Sequence, residues 1–188
     1  MPLFEAANEF WKSIKIDFIT GEFGKFSPFL TELSNKFANG KVKFGHFKIL
    51  TNYFNKEFSK ERMFHYLLKE KLFYYEEICK YFDNYKISSD VDLTKVIEEV
   101  APFNLPGCLA TILQNGGAYS KSNSSMVDFY TGLNAALDLT DGNLNNGMIW
   151  FSRIAWSDFF MDVAWDKTII VYKPKTDDLE IIFATDTD

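Results

Sequence analysis

The sequence has few of the residues that most catalytic and metal-binding motifs require. Only two histidines and two cysteines occur among its 188 residues, and their spacing does not suit a zinc site. A glycine-rich phosphate loop and the Gly-x-Ser-x-Gly motif of many hydrolases are also missing. We therefore predict a protein without cofactor or metal, and none of the familiar catalytic residue sets is recognisable.

Long apolar runs are missing as well. No stretch approaches the roughly 20 apolar residues that cross a bilayer. The N terminus has two acids, Glu5 and Glu9, where a secretory signal would have basic and then apolar residues. We therefore predict a cytoplasmic protein without membrane contact, in which Cys79 and Cys108 pack as small hydrophobic side chains rather than forming a disulfide.

Aromatic residues, in contrast, are abundant. The chain contains 20 Phe, 9 Tyr and 4 Trp, and 47% of its residues are apolar. This composition supplies a hydrophobic core and argues against disorder. The aromatic fraction also exceeds what a minimal core needs, so some rings are candidates for a protein interface, where large rings contribute most of the binding energy.

Negative charge is concentrated in the second half of the chain. Residues 1–94 contain 14 basic and 13 acidic residues, a net charge of +1, whereas residues 95–188 contain 6 and 13, a net charge of −7. Such a surface repels nucleic acid and increases the association rate of basic proteins. A role in solubility alone is the alternative explanation.

The first half of the chain is predicted to be mainly helical, because apolar residues recur at spacings of three and four. We predict helices over residues 3–19, 28–38 and 59–82. Residues 41–50 fit either a short strand or a helix. A polar stretch at residues 83–92 predicts a boundary, which gives a helical region at 1–88 and an α+β region at 89–188, with one compact unit as the alternative.

The second half is predicted to combine short helices with a mainly antiparallel sheet, so the fold class is α+β. The predicted helices cover residues 93–100 and 107–114, and the second of them is closed by Asn115-Gly116-Gly117. The predicted strands cover residues 148–154, 159–163, 168–172 and 179–183. Residues 173–178 have the composition of a hairpin turn between the last two strands.

Three aspartates recur at intervals of four residues within this region: Asp158, Asp162 and Asp166. In a strand, alternate side chains face opposite sides of the sheet. Asp158, Phe160 and Asp162 would therefore share one side, which places the acids at or near solvent and the other large side chains in the core.

Three tryptophans, Trp150, Trp156 and Trp165, lie close to these acids in the sequence. They fit the core of a sheet, and they also fit a binding surface in which aromatic anchors are surrounded by charge. The residues that we predict to contact a partner are Asp141, Trp156, Asp158, Asp162, Trp165, Asp166, Asp177 and Asp178.

The order of four short motifs in the second half resembles the SUKH superfamily of bacterial immunity proteins. The motifs are Ile97-Glu98-Glu99, Leu105-Pro106, Asn115-Gly116-Gly117 and the segment from Ser157 to Asp162. Ser157 replaces the usual glycine, and the second and third motifs are closer together than usual. The final β segment is also similar to the GAD-like immunity proteins of type VI secretion systems. Both resemblances imply a cytosolic protein that binds a delivered toxin and blocks it.

Three functional hypotheses follow. The first is an immunity protein that neutralises a basic toxin through an acidic, aromatic surface and acts as a monomer or homodimer. The second is a metal-dependent or carboxylate-based hydrolase that uses Asp158 and Asp162 with His46 or His65. The third is a scaffold protein that dimerises through its N-terminal amphipathic helices.

Overall fold

The computed structural model describes residues 1–19, 27–118 and 124–187. Within these ranges the chain forms helices around one six-stranded antiparallel sheet, which confirms the predicted α+β class. The helices are α1 (Leu3–Ser13), α2 (Ser27–Lys36), α3 (Lys60–Lys71), α4 (Glu76–Tyr81), α5 (Leu93–Val96), α6 (Leu105–Asn115) and α7 (Ser125–Leu139). The strands are β1 (Lys15–Phe18), β2 (Lys41–Leu50), β3 (Glu98–Val100), β4 (Met148–Ser152), β5 (Lys167–Lys173) and β6 (Asp178–Thr185).

The sheet has the strand order β1-β2-β6-β5-β4-β3. Its central pairing joins the two halves of the chain, because β2 pairs with β6 from Lys41 opposite Thr185 to Lys48 opposite Asp178. The ambiguous segment at residues 41–50 is therefore a strand, and residues on both sides of position 88 build a single sheet. The order also leaves β1 and β3 as the two edge strands.

One face of the sheet, here called the aromatic face, packs against α1 and α3. Its largest fully buried side chains include Phe10, Phe47, Phe64, Trp150, Trp156, Tyr172 and Phe183. Phe64 of α3 stacks on Tyr172 of β5 with 3.9 Å between the ring centroids. Burying each such ring contributes about 1.5–3 kcal/mol, so the many aromatic residues mainly form the core.

The opposite face, here called the aliphatic face, is covered by α2, α6 and α7. Ile149, Ile169 and Ile182 from three strands meet Leu109 of α6 and Ala136 of α7 there. Close approach of α6 and α7 requires Gly132, since an added Cβ would lie 2.6 Å from the backbone nitrogen of Ala110. Sequence analysis did not predict α7, because its buried side is formed mostly by Gly and Ala rather than by large apolar residues.

Three predicted helices are shorter than expected. Residues 15–18 leave the helix predicted for 3–19 and form β1, because Ile16 pairs opposite Ile49 of β2 in the sheet. The helix predicted for 59–82 is interrupted by a 3-10 turn at Leu72–Tyr74. In the segment 93–100, the helix ends at Val96 and residues 98–100 become β3.

The strand predicted for residues 159–163 is absent. Residues 153–166 instead form a loop of turns and bends between β4 and β5, with one isolated bridge between Ser157 and Ile87. Phe159 and Phe160 are both buried, whereas Met161 is 46% exposed. The alternation that was predicted to place acids on one side and large side chains on the other is therefore wrong.

The predicted end of α6 is confirmed at Asn115-Gly116-Gly117. Gly116 has φ 62° and ψ −163° at the C-cap, a backbone conformation that glycine adopts without strain. At Gly117 an added Cβ would lie 2.0 Å from the Asp186 carboxylate and 2.3 Å from the Lys36 carbonyl oxygen. The two glycines therefore let the last residues of the chain pack against this helix end.

The helices in the described ranges are all shorter than a membrane span requires. The longest, α7, has 15 residues, whereas about 20 apolar residues are needed. None of these helices is long and apolar enough to cross a bilayer.

Candidate functional site

Three of the predicted contact residues lie around the turn between β5 and β6, and each forms an ion pair with a lysine. The pairs are Asp141–Lys173 at 3.1 Å, Asp177–Lys60 at 2.5 Å and Asp178–Lys48 at 2.9 Å. These lysines come from β5, α3 and β2, so the fold brings positive charge from distant parts of the sequence to this turn. The acidity expected here from the local sequence is therefore largely neutralised.

Beside these pairs, Glu180 of β6 lies in a nearly closed environment. One of its carboxylate oxygens is 3.1 Å from Lys173 Nζ, and the other is buried without a hydrogen-bond partner in the described structure. Burial raises the pKa of Glu180 to about 7. The cluster therefore contains a carboxyl group that changes charge near neutral pH.

His46 is opposite Glu180 in the β2–β6 pairing. Its Nε2 atom lies 3.5 Å from Asp178 Oδ1, without the geometry of a hydrogen bond. Burial lowers the pKa of His46. No hydrogen bond or ion pair between His46 and Glu180 occurs among the described residues, so the cluster forms a polar edge of the core.

The other predicted acids lie in the loop between β4 and β5. Asp158 is exposed, and its carboxylate accepts a hydrogen bond from the Lys86 backbone nitrogen at 2.6 Å. Asp166 is fully buried and accepts hydrogen bonds from Val163 N at 2.9 Å and from the Thr185 hydroxyl. Only Asp162 is both exposed and without a hydrogen bond or ion pair among the described residues.

The two predicted tryptophans are parts of the core. Trp156 is 0% exposed and its Nε1 donates a hydrogen bond to Thr168 Oγ1 at 2.8 Å. Trp165 is partly buried and packs against the aliphatic face of the sheet. Trp156 and Asp166 are therefore enclosed by the fold and expose no surface to a partner in this conformation.

The eight predicted residues do not form one surface. Asp141, Asp177 and Asp178 lie near the end of β5, whereas the loop with Asp158, Asp162 and Asp166 precedes its start. The seven residues of β5 place Asp166, just before the strand, about 20 Å from the turn at its other end, at the rise of an extended strand. The structure thus disperses the acids that lie together in the sequence.

The residues of the hydrolase hypothesis are not brought together either. His65 lies 2.8 Å from Glu99, and His46 lies near Asp178. Within the described ranges, neither Asp158 nor Asp162 hydrogen-bonds to a histidine or forms an ion pair with one. No group of three or more His, Cys, Asp or Glu in those ranges could hold a metal ion.

A better candidate site is an open groove beside edge strand β3. The groove has a volume of about 540 Å³ and is bounded by β3, the start of α6 and the end of β4. Its lining residues include Glu98, Glu99, Val100, Cys108, Phe151, Arg153 and Ile154. Among the described residues, only β4 hydrogen-bonds to the β3 backbone, so the outer edge of β3 is free to pair.

The groove combines apolar and acidic groups. Ile154 is 49% exposed in its wall, and Phe103, next to the lining residue Asn104, is 69% exposed. Glu98 is exposed and has no ion-pair partner in the described ranges, while Glu99 pairs with His65. Arg153 is also present and lies over the Phe151 ring at 5.3 Å.

Sequence analysis did not identify this groove. Residues 98–100 were assigned to the end of a helix, because three residues are too few to show a strand alternation. Glu98 and Glu99 appeared only as part of the SUKH resemblance. Their position on an edge strand depends on pairing with β4, about 50 residues later in the chain, and no local signal encodes this pairing.

Comparison of the chain with protein-family models, with curated proteins and with solved structures found no match.

Proposed function

We propose that this protein is an inhibitor that binds a protein toxin through the β3 edge and its groove, and thereby blocks the toxin. The main support is the edge of β3, which no described residue covers by pairing, beside an open groove of about 540 Å³ whose wall contains Glu98, an acid without an ion-pair partner in the described ranges. The toxin part of the proposal is supported by the SUKH-like motif order and by the net charge of −7 in residues 95–188.

The main chain of β3 supplies the first type of contact. An extended segment of a partner can add to a free sheet edge, since backbone hydrogen bonds give affinity without requiring a particular sequence. β3 has only three residues, and short, charged edge strands resist unwanted pairing. A partner must therefore also use the groove, which makes binding selective.

Side chains of the groove supply the second type of contact. Val100, Phe151 and the exposed Ile154 offer apolar area next to the strand edge. Aromatic and aliphatic side chains of a partner contribute most binding free energy when they enter such a concave surface. Phe103, exposed at the side of the groove, extends this apolar area.

Charge supplies the third type of contact. Glu98 is exposed and unpaired within the described structure, and Glu99 has a half-exposed carboxylate that pairs with His65. A basic side chain of the partner would complement these groups and increase the association rate. This surface replaces the dispersed aspartates as the acidic contact region.

Co-expression tests the proposal. The products of the genes on either side of the gene for this chain are expressed separately in a host strain, and growth is measured with and without this chain. The proposal predicts that one product stops growth, that this chain restores growth, and that the two proteins purify as a complex.

A charge reversal tests the surface. Glu98→Lys is expected to weaken the complex and the growth rescue, because it places positive charge opposite a basic partner. Glu5→Lys is the matched control. Glu5 is an exposed acid of α1, the helix that precedes β1, and β1 is the other edge strand of the sheet. Equal weakening by both variants would contradict the β3 surface, and lack of any rescue by the unaltered chain would contradict the inhibitor proposal.

A further inference from the structure

We propose that a small cavity at the inner end of the groove binds an oxyanion, either a free phosphate or a carboxylate, through Lys167 and Arg153. The cavity has a volume of about 90 Å³ and lies between α6, the end of β4 and the start of β5. It shares Cys108, Phe151 and Arg153 with the groove, so the two spaces adjoin. At about 30 Å³ for each water in the liquid, it has room for a small anion.

The charged side chains that line the cavity, among the described residues, are both positive. Lys167 and Arg153 both line it, and none of the lining residues is Asp or Glu. The nearest acid in the sequence, Asp166, uses its carboxylate to accept hydrogen bonds from Val163 N and the Thr185 hydroxyl. Burial has the largest effect on the pKa of Lys167 and lowers it, while the negative charge of Asp166 raises this pKa and the positive charge of Arg153 lowers it. Two cations therefore face one buried carboxylate, which leaves one positive charge for an oxyanion to balance.

Lys167 has hydrogen-bonding capacity left for such a ligand. Its Nζ donates to the carbonyl oxygens of Ala164 at 2.6 Å and Asp166 at 3.0 Å, and an ammonium group has three donors. It forms no ion pair with a carboxylate in the described structure. Burial lowers the pKa of Lys167 to about 8, and a bound anion would stabilise the charged form.

The other donors around the cavity suit a planar or tetrahedral oxyanion. Arg153 lies over the Phe151 ring, which leaves the N–H groups at the edge of its guanidinium plane free to bind two oxygens. Asn115 adds an amide at the C-terminal end of α6. Burial raises the pKa of the Cys108 thiol, so this neighbour adds no negative charge.

Residue-resolved acylation tests the cavity in the isolated protein. Acetic anhydride modifies uncharged amines, and mass spectrometry gives the modification rate of each lysine with and without added phosphate or acetate. Either anion at saturating concentration is expected to slow modification of Lys167 several-fold. Lys80, an exposed lysine of α4 that pairs with Glu76, should be unaffected and is the internal control.

Two substitutions measure the contribution of each cation. With Arg153→Gln, we expect about tenfold more anion to be needed for the same protection of Lys167. This is the typical effect of losing one charge-assisted hydrogen bond. In a titration followed by amide NMR shifts, Lys167→Met should weaken binding similarly, whereas Lys80→Met should leave it unchanged. Binding of acetate should also weaken between pH 7 and pH 9 as Lys167 loses its proton beside Arg153 and Asp166.

Comparing the phosphate titration with the acetate titration distinguishes the two sources of the anion. A phosphate site binds phosphate at lower concentration than acetate, whereas a site for a carboxylate of a docked protein segment binds acetate at least as tightly. Absence of protection by either anion, or equal protection of Lys80, would overturn the proposal. Because the assay needs no protein partner, its failure is independent of failure of the inhibitor proposal.

Discussion

The acids around the β5–β6 turn and the acids of β3 have the same charge but different surroundings. Around the turn, Asp141, Asp177 and Asp178 each have a lysine within ion-pair distance. In β3, Glu98 has no such neighbour in the described structure, although the sequence there is less acidic. The comparison shows that the availability of a charge depends on what the fold places beside it, not on the local density of acids.

The largest expected effect on the free energy of unfolding comes from replacing Trp156, a predicted contact residue that lies in the core. Trp156→Ala should lower the free energy of unfolding by about 3–5 kcal/mol, because it removes a fully buried ring from the aromatic core. Trp165→Ala should cost clearly less, since Trp165 is only partly buried. Urea unfolding followed by circular dichroism measures both, and equal losses would contradict the different roles assigned to them.

A second prediction concerns the pH dependence of stability caused by Glu180. Its pKa of about 7 in the folded protein lies above the ordinary glutamate pKa of 4.5, so the folded state binds more protons than the unfolded state between these values. The free energy of unfolding should therefore fall as pH rises from 4.5 to 7, by an amount on the order of 3 kcal/mol for this group.

Glu180→Gln removes this titration and serves as the comparison. The difference in unfolding free energy between the unaltered protein and Glu180→Gln should change across this pH range and be constant above it. His46, whose pKa is lowered by burial, titrates in the opposite sense but is common to both proteins. A difference that is independent of pH would contradict the burial of Glu180.

A third prediction concerns Asp166. Asp166→Asn should lower the free energy of unfolding by about 1–3 kcal/mol, since one of its two buried acceptor oxygens is replaced by a donor group facing donors. Thermal unfolding of Asp166→Asn and Asp162→Asn side by side compares the loss of stability at the buried acid with that at the exposed one. If Asp162→Asn has the larger effect, the assignment of buried and exposed acids in this loop is wrong.

The smallest effect on stability, and the most informative for function, is expected at β3. Glu98→Gln and Asp162→Asn each neutralise an exposed acid that has no described partner, and both should change stability by less than about 0.5 kcal/mol. In binding to the toxin partner by surface plasmon resonance, Glu98→Gln should slow association about two- to fivefold. Asp162→Asn should leave the association rate unchanged. If Asp162→Asn slows association and Glu98→Gln does not, the contact surface is the predicted aspartate surface and not β3.

Much of the fold was predictable because it depends on local patterns. The apolar runs at residues 148–154, 168–172 and 179–183 correspond to β4, β5 and β6, and the polar segment between the last two is the hairpin turn. The start of α6 at Leu105-Pro106 and its end at the two glycines followed from backbone preferences. These elements have strong signals at short range.

The failures involve long-range pairing. β1 has an apolar pattern that continues from α1, and only pairing with β2 makes it a strand. The loop at residues 153–166 has strand-like composition, but Phe159 and Phe160 are both needed in the aromatic core. A local pattern cannot express either requirement, and it also cannot show which of the predicted contact residues the fold buries or pairs with lysines.

Hydrogen–deuterium exchange of the complex with its toxin locates the binding surface on this protein. We expect the amides of residues 98–100 in β3 to become protected on binding, because a partner segment adds to this edge, while residues 15–18 in the other edge strand are unchanged. Protection confined to residues 153–166, or to the turn at 174–177, would contradict the claim that the β3 groove is the binding site.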